Sequence, residues 1–447
     1  MLKFRRWLVV AAEVAAVLAC VAFAARGQLQ RAAVAAAIYR AHIFTPAPLI
    51  SGESSWQRIH DAAQFYWDFS EVAVAREQRL KLLDPTLRPL VAEINRREAA
   101  GENMHFSMHI YREVRWLLNF TPDVAATRAR IADLRQSLNE PEEQALAREQ
   151  QASDGSWARG INAWYLRLYY SVDEVKACRG TPRYPLTFLD RINSPEKLDA
   201  VLDADLHDDF TRTGAFNREE TDETFSAIAR LLFAGEPTSC YTFDPRLQDA
   251  LRAYVLRWQN PQTGCWGQWL VDREGRVWKM DDMAMTFHVI SDLKGDVPHQ
   301  DQIARRLLEL DKVNFPAGIR FNGHYENHLN WDAVKIFRAA WPSLDDATQQ
   351  RVRKEVGRML DWCLTKSLQA DGSFKVSDLD DTEGDAYRYG IWFLEECGYF
   401  QPKNRFWTDR QFDDAAAVRA RIEAKLKSTG LNDPGLKEAY DTLQGMN

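Results

Sequence analysis

The sequence predicts an all-α protein: an (α/α)6 toroid of six helical hairpins that follows an N-terminal membrane or signal helix. Three observations predict this fold. A glycine turn recurs along the chain, helical periodicity fills the segments between the turns, and no long stretch alternates as a strand does. A helical hairpin cannot bury both of its helices alone, so neighbouring hairpins must stack, and six of them commonly close into a ring around a cavity.

The turn glycines recur at intervals of about 50 to 60 residues, which leaves room for two helices and two connections in each repeat. Four of the turns carry an aromatic residue two positions after the glycine, as in the DGSW stretch from Asp154 and the DGSF stretch from Asp371. We expect all six glycines near one end of the ring. They are Gly101, Gly155, Gly214, Gly264, Gly318 and Gly372.

The first 27 residues resemble a targeting segment in their charge and hydropathy. Lys3, Arg5 and Arg6 precede an apolar stretch over 7–24 whose one charge is Glu13, and Ala22 begins a small-x-small cleavage pattern. The stretch predicts a cleaved signal or a single anchor, with the bulk of the chain in the periplasm or on the extracytoplasmic face of the inner membrane. The alternative is an interfacial or buried amphipathic helix.

The elements after this segment follow from apolar spacing, caps and breakers. We predict a helical linker over 28–55 and one toroid domain over 56–447, which begins with a helix over 56–83. The predicted inner helices span 105–119, 158–172, 219–233, 281–293, 328–341 and 381–397. The predicted outer helices span 122–151, 195–208, 246–259, 300–313 and 344–368, with closing helices over 413–426 and 436–446.

Composition narrows the function classes. The chain of 447 residues has 57 basic and 64 acidic groups, so its net charge of -7 gives no reason to expect a nucleic-acid partner. Six cysteines without CxxC spacing give no zinc signature, and the pair His105 and His109 is more typical of polar lining than of a metal site, so we predict no metal and no cofactor. Fifteen Trp are typical of large cores, or of a pocket that stacks on sugars or wraps an apolar chain.

An acidic stretch from Asp378 to Asp385 stands at the start of the sixth inner helix. It holds five acids within eight residues, more than helix capping requires, and crowded carboxylates raise one another's pKa as a general acid needs. The DLDDT letters resemble the DxDDT motif of class II terpenoid cyclases, whose toroid is shared by protein prenyltransferases. The resemblance implies that Asp380 protonates an alkene or epoxide with support from Asp378 and Asp381.

A second polar stretch, from Asn322 to Asp332, precedes the fifth inner helix. Its NHxxW letters, from Asn327 to Trp331, resemble alginate-lyase-type (α/α) polysaccharide lyases, although Glu326 stands where that pattern has Asn. The resemblance implies a carboxylate neutraliser at Asn327 and a base at His328. It further implies an acid at Tyr325 or another Tyr, and we add Glu326 as a catalytic candidate and His324 and Trp331 as substrate contacts. A carboxylate beside His328 would raise its pKa, and the alternative is a loop that only satisfies helix ends.

Further candidates for substrate binding stand near the starts of other inner helices. Asp281 and Asp282 lie in a stretch that loosely resembles the same cyclase motif, Asp222 lies in an acidic stretch that capping also explains, and Trp266 follows a turn glycine. Because inner helices all start at one end of a ring, we expect these groups to converge on one mouth.

The leading functional prediction is an exported, membrane-anchored enzyme that acts on a polysaccharide or oligosaccharide as a lyase or glycoside hydrolase. The alternatives are a class II terpene-cyclase-like isomerase with an isoprenoid substrate, and a non-catalytic binding or scaffold toroid of the envelope. A dry aromatic cavity with one buried Asp favours the isoprenoid, whereas a groove lined by Trp and charged groups favours the glycan.

Overall fold

The computed structural model describes residues 26–47, 53–140, 150–158, 160–233, 238–377, 382–431 and 433–445. Helices account for most of these residues, which confirms the all-α part of the prediction. The predicted targeting segment lies almost entirely outside the described residues. Within those residues, no helix combines the length and the apolar character that crossing a membrane requires.

The described residues form sixteen helices. The first, α1, covers 26–41. The others are α2 (Ser55–Ala99), α3 (His105–Phe120), α4 (Val124–Ser137), α5 (Trp164–Ala177), α6 (Pro195–Leu206), α7 (Phe210–Thr213), α8 (Arg218–Phe233), α9 (Leu247–Trp258), α10 (Met283–Asp292), α11 (Gln300–Glu309), α12 (Asn327–Ala340), α13 (Asp346–Trp362), α14 (Glu383–Glu396), α15 (Ala415–Ser428) and α16 (Pro434–Gly445).

The largest departure from the predicted helices is α2, which continues to Ala99 through Pro85 and Pro89. A proline inside a helix removes a hydrogen-bond donor and usually ends the helix. Here Leu87 and Ile94 continue the buried face of α2, and the helix packs against α3 and α4. Tertiary burial therefore outweighs the local cost of the prolines.

The predicted second inner helix starts six residues late, at Trp164 instead of 158. The preceding loop is fixed from outside, because Glu113 of α3 accepts hydrogen bonds from the backbone N–H groups of Asn162 and Ala163 (2.8 and 3.3 Å). Glu113 is buried and paired with Arg130 of α4. A carboxylate from a distant helix therefore sets this helix start, and local spacing alone does not show it.

A small sheet was not predicted. Its strands are β1 (Phe44–Thr45), β2 (His207–Asp208), β3 (Trp269–Val271) and β4 (Val277–Met280), in the order β1-β4-β3-β2. The pairs β1–β4 and β3–β4 are antiparallel, and β2–β3 is parallel. Strands of two to four residues are too short for alternation to be recognised in a sequence.

The sheet fastens the N-terminal part of the described chain to the rest. Phe65 of α2 stacks on Trp278 of β4, with ring centroids 4.2 Å apart. Ile43 and Phe44, from the predicted linker, are buried in the same cluster. The segment over 28–55 thus holds a helix, a strand and core residues.

The predicted repeat has a shared backbone geometry at three of its glycines. In the turns at Gly155, Gly264 and Gly372, the chain folds back so that a backbone N–H before the glycine donates to the carbonyl of the residue after it, at 2.7, 2.9 and 2.8 Å. All three glycines have positive φ. At Gly155 a Cβ would also collide with the backbone of Pro185.

Two of these turns, at Gly155 and Gly264, also share the same side-chain hydrogen bonds. Gln151 and Gln259 each donate from Nε2 to the carbonyl of the turn glycine, at 2.9 and 2.8 Å. The aromatic residue after each turn donates its backbone N–H to a hydroxyl on the following helix, Ser171 or Thr286. Gly318 differs, because its φ is not positive and it instead lies against the backbone of Val313.

The predicted inner helices pack side by side in chain order. Helix α5 contacts α8, α8 contacts α10, α10 contacts α12, and α12 contacts α14. The predicted outer helices contact one another as well, α6 with α9 and α11 with α13. Most buried apolar residues of these helices form one continuous cluster. Consecutive packing of this kind runs through the five helices α5, α8, α10, α12 and α14.

Cys178 and Cys240 form a disulfide that joins the chain after α5 to the chain after α8. Cys265, Cys363 and Cys397 are free and buried, where a thiol packs as a small hydrophobic group.

We predict that the double substitution Cys178→Ser and Cys240→Ser lowers the free energy of unfolding by about 2–4 kcal/mol, because the crosslink closes a long loop in the unfolded chain. Chemical denaturation measures this change. Reductant should destabilise the wild type by a similar amount and leave the double variant unchanged. A wild type that is insensitive to reductant would contradict the prediction.

Candidate functional site

Buried and half-buried polar and aromatic side chains occupy one face of successive helices among the predicted inner helices. On α12 the spacing of His328, Trp331, Asp332 and Lys335 places them on a single helical face. The same phase relates His288 to Asp292 on α10 and Tyr389 to Trp392 on α14. We call this surface the inner wall; it comprises Tyr169, Tyr170, Asp222, Glu223, His288, Asp292, His328, Trp331, Asp332, Tyr389 and Trp392.

Ring contacts join three helices of the inner wall. The rings of His328 and Tyr389 are stacked with centroids 3.7 Å apart. Trp331 contacts Trp392 of α14 at 4.8 Å and Phe287 of α10 at 5.0 Å. The aromatic part of the wall is therefore a continuous patch across α10, α12 and α14.

A buried ion pair joins α8 to α10. His288 Nδ1 lies 2.7 Å from Asp222 Oδ1. Burial lowers the pKa of His288, but the charge of Asp222 and the hydrogen bond to it outweigh burial and raise that pKa to about 10. Burial likewise disfavours the charged form of Asp222, yet the charges of His288 and Arg218 hold its pKa below the usual value. The pair is therefore ionised at neutral pH.

Arg218 extends this pair into a network. Its guanidinium binds both oxygens of Asp282, with Nη2 2.9 Å from Oδ1, and lies 3.5 Å from Asp222. Asp282 is fully buried and caps α10 by accepting from the N–H of Met285 at 3.0 Å. Two carboxylates and two cations thus fix the start of α8 against the start of α10.

Glu223 has the opposite protonation state from its neighbour Asp222. Burial, followed by the charge of Asp222, raises the pKa of Glu223 to about 8. Its own charge in turn is the largest cause that raises the pKa of Tyr169 to about 12. Glu223 therefore carries a proton at neutral pH.

His328 is held neutral. Burial and the positive charges of His288 and Arg388 lower its pKa to about 3. The expectation that a neighbouring carboxylate raises this pKa is wrong. His328 Nε2 is 3.9 Å from Asp332 Oδ2, beyond a hydrogen bond, and burial raises the pKa of Asp332 well above its usual value. Asp332 Oδ1 is buried without a hydrogen-bond partner among the described residues.

Asp378, Asp380 and Asp381, the central residues of the acidic stretch, lie outside the described residues. At the end of this stretch, Thr382 caps α14 by accepting from the N–H of Asp385 at 3.0 Å.

Four predicted residues of the second polar stretch have contacts away from the inner wall. Tyr325 donates to Glu355 of α13 at 2.6 Å. Glu326 caps α12 by accepting from the N–H of His328 at 2.7 Å, and Asn327 donates to Ser367 at 2.8 Å. His324 is exposed at a turn. These contacts satisfy helix ends and hold α12 to its outer neighbour.

Two more predicted residues have contacts away from the inner wall. Trp266 is fully buried and its indole N–H donates to the carbonyl of Val255 at 2.9 Å. Asp281 pairs with Arg306 at 2.7 Å. Of the predicted residues within the described chain, the inner wall contains Asp222, His328 and Trp331.

Sequence reasoning missed several wall residues, among them Glu223, His288 and Tyr389. His288 could have been predicted as a site residue, because it interrupts the apolar stretch of α10. Glu223 was hidden within an acidic stretch that capping also explains. No group of three or more His, Cys, Asp or Glu side chains that could hold a metal ion occurs in the part of the chain that the structure describes.

Comparisons with protein-family models, with curated proteins and with solved structures find no match to this chain.

We predict that the free energy of unfolding falls by more than about 1 kcal/mol between pH 7 and pH 10 through these groups. Folded His288 keeps its proton up to about pH 10 against 6.5 for the free side chain, so its contribution is present below pH 6.5 and is lost as the pH rises through 10. In the folded protein Glu223 keeps its proton up to about pH 8, whereas the free side chain loses it near pH 4.5. Its contribution to the free energy of unfolding therefore also falls as the pH rises toward 8.

These contributions are measured by denaturing the wild type, His288→Gln and Glu223→Gln at a series of pH values. His288→Gln should flatten the curve up to pH 10, and Glu223→Gln should flatten it only below pH 8. Identical pH profiles in all three proteins would refute the assignment.

Proposed function

We propose that this protein is an enzyme that acts on a polysaccharide or oligosaccharide at the inner wall. One observation carries the proposal: the wall holds a protonated carboxyl group, Glu223, and an unprotonated imidazole, His328, whose pKa values are shifted in opposite directions by their surroundings. Pairs of groups with pKa values separated in this way are typical of acid and base catalysts.

The aromatic groups beside the acid and base support a sugar substrate. Trp331, Trp392 and Tyr389 are half-buried, so they keep part of their faces free. An aromatic face packs against the apolar face of a sugar ring, while carboxyl and imidazole groups bind its hydroxyls. The density of charged groups on the wall favours a glycan over an isoprenoid, which would require a dry apolar cavity.

In the proposed mechanism, Glu223 donates its proton to the leaving glycosidic oxygen. His328, which is unprotonated, accepts a proton from water in hydrolysis, or from the sugar ring in an elimination. Asp332 Oδ2 lies 3.9 Å from His328 Nε2 and could accept a hydrogen bond from the imidazole once it has taken up the proton. Burial keeps Glu223 protonated, and the charge of Asp222 also opposes ionisation of Glu223.

We also propose that the helices close into the (α/α)6 toroid. The consecutive packing of the inner helices supports this, and two further observations support closure. The rings of His109 on α3 and Tyr170 on α5 stack 3.7 Å apart. Glu98 at the end of α2 has its pKa raised to about 7 by burial and by the charges of Asp433 and Asp385, beside α16 and α14.

The compartment is also a proposal: we infer export with a cleaved signal or an anchor. The disulfide between Cys178 and Cys240 supports it, because structural disulfides persist in oxidising compartments.

We predict that a reporter fused after Asn447 is active when it requires an extracytoplasmic location and inactive when it requires the cytoplasm. The pattern should reverse when residues 1–25 are deleted. Cytoplasmic activity of the full-length fusion would contradict export.

We predict that Glu223→Gln lowers kcat by about 100-fold or more, because the amide cannot donate the acid proton, while the melting temperature does not fall. Full-length protein incubated with a polysaccharide panel is assayed for reducing ends and for the ultraviolet absorbance of unsaturated ends, which separates hydrolysis from elimination. Tyr325→Phe serves as the control: it removes a structural hydrogen bond and should lower stability by about 1 kcal/mol with activity retained. Equal activity of Glu223→Gln and the wild type would exclude Glu223 as the acid.

A further inference from the structure

Two arginines interrupt the buried face of α2. Phe65, Val72, Leu83 and Leu87 are buried and are separated by intervals of helical phase. Arg76 and Arg79 fill the positions between Val72 and Leu83, at steps of four, three and four residues. The helix therefore directs two guanidinium groups toward the interior, where an apolar side chain would otherwise continue the core.

Among the residues that the structure describes, no carboxylate forms an ion pair with Arg79. Its Nε and Nη2 atoms are shielded from solvent and have no hydrogen-bond partner among the described residues. Burial lowers the pKa of Arg79. A buried cation without a partner costs free energy, and buried charges in proteins are normally paired. Arg79 therefore has N–H donors that an anion could satisfy.

Other cations surround this position. Burial is the largest cause that lowers the pKa of Arg76, and the charges of Arg218, Arg115 and Arg79 lower it further, against the opposing charge of Glu219. Arg115 belongs to α3, which packs against α2. Arginines from two packed helices, and one from α8, therefore act on the same small region.

The arginine cluster adjoins the inner wall. Glu219, which acts on Arg76, lies four residues before Glu223 on α8, so the two carboxyl groups are one helical turn apart on the same face. A sugar bound beside Glu223 can therefore place a substituent near the arginines.

We propose that Arg79, with Arg76 and Arg115, forms a subsite for the anionic substituent of an acidic saccharide, a carboxylate or a sulfate group. A guanidinium presents parallel N–H groups that match either anion in two-point contact. The assignment to a saccharide rests on the proposed function; the anion site itself does not.

The first experiment tests the anion site alone, with inorganic sulfate as the probe on the full-length protein. At matched ionic strength, replacing chloride by sulfate should raise the melting temperature of the wild type by several degrees more than that of Arg79→Met. The control is Arg88→Met, on the same helix, whose side chain is exposed and paired with Asp84; it should behave as the wild type. In chloride, Arg79→Met should melt at or above the wild-type temperature, since it removes an unpaired buried charge.

Two results would overturn the anion site. One is an equal response to sulfate in the wild type and Arg79→Met. The other is a melting temperature of Arg79→Met in chloride below that of the wild type, which would make the guanidinium a structural group. Arg79→Lys keeps the charge and should retain part of the sulfate response.

The second experiment tests the saccharide. Calorimetry with matched oligomers of a uronate, a sulfated galactan and a neutral glucan should show binding of one of the two acidic oligomers, weakened about 10- to 100-fold in Arg79→Met. Whichever acidic oligomer binds identifies the anion. Binding of the neutral oligomer alone would overturn the acidic class and leave the proposed function intact. Absence of binding by all three, with the sulfate response intact, would count against the saccharide and leave the anion site standing.

Discussion

The ionised pair of Asp222 and His288 is the interaction on which the rest of the site depends. It joins α8 to α10 across the inner wall, and Arg218 and Asp282 extend it to the first turn of α10. Buried ion pairs contribute little net stability, because desolvation offsets their attraction. What this pair contributes is protonation: burial is the largest cause that raises the pKa of Glu223 and lowers that of His328, and the charges of Asp222 and His288, respectively, shift these pKa values further in the same directions. The same pair thus reinforces the protonation states of the acid and the base of the proposed reaction.

The inner wall and the arginines of α2 have complementary roles in the proposed function. In the proposed reaction Glu223 and His328 transfer protons, whereas Arg79 on α2 carries a positive charge whose Nε and Nη2 atoms have no hydrogen-bond partner among the described residues. Residues that lower stability without a structural partner are typical of ligand sites, and the proposal for Arg79 predicts that it is such a residue. A scaffold does not need groups for proton transfer or an unpaired positive charge, and both lower the free energy of unfolding. We therefore favour an enzyme.

Much of the helical order could be predicted from the sequence, because glycine turns and apolar spacing are local signals. The turns at Gly155, Gly264 and Gly372 share one backbone geometry. The strands and the start of α5 could not be predicted, because they depend on distant partners such as Glu113. At the site, the sequence drew attention to polar residues at helix starts. Glu326, Asp282 and Thr382 there satisfy backbone N–H groups of their helices, while the wall residues mostly lie further along the helices, at spacings that local composition does not single out.

The most direct test of the central claim is the protonation state of two histidines, observed by NMR of ¹⁵N-labelled imidazole rings over the neutral pH range. The account predicts that His288 remains protonated through neutral pH and titrates only in the alkaline range, while His328 remains neutral at the same pH values. Assignment follows from the loss of one signal in His288→Gln and of the other in His328→Gln. If both imidazoles titrate together near the pKa of a free histidine, Asp222 does not govern the inner wall, and the proposed division into acid and base is wrong.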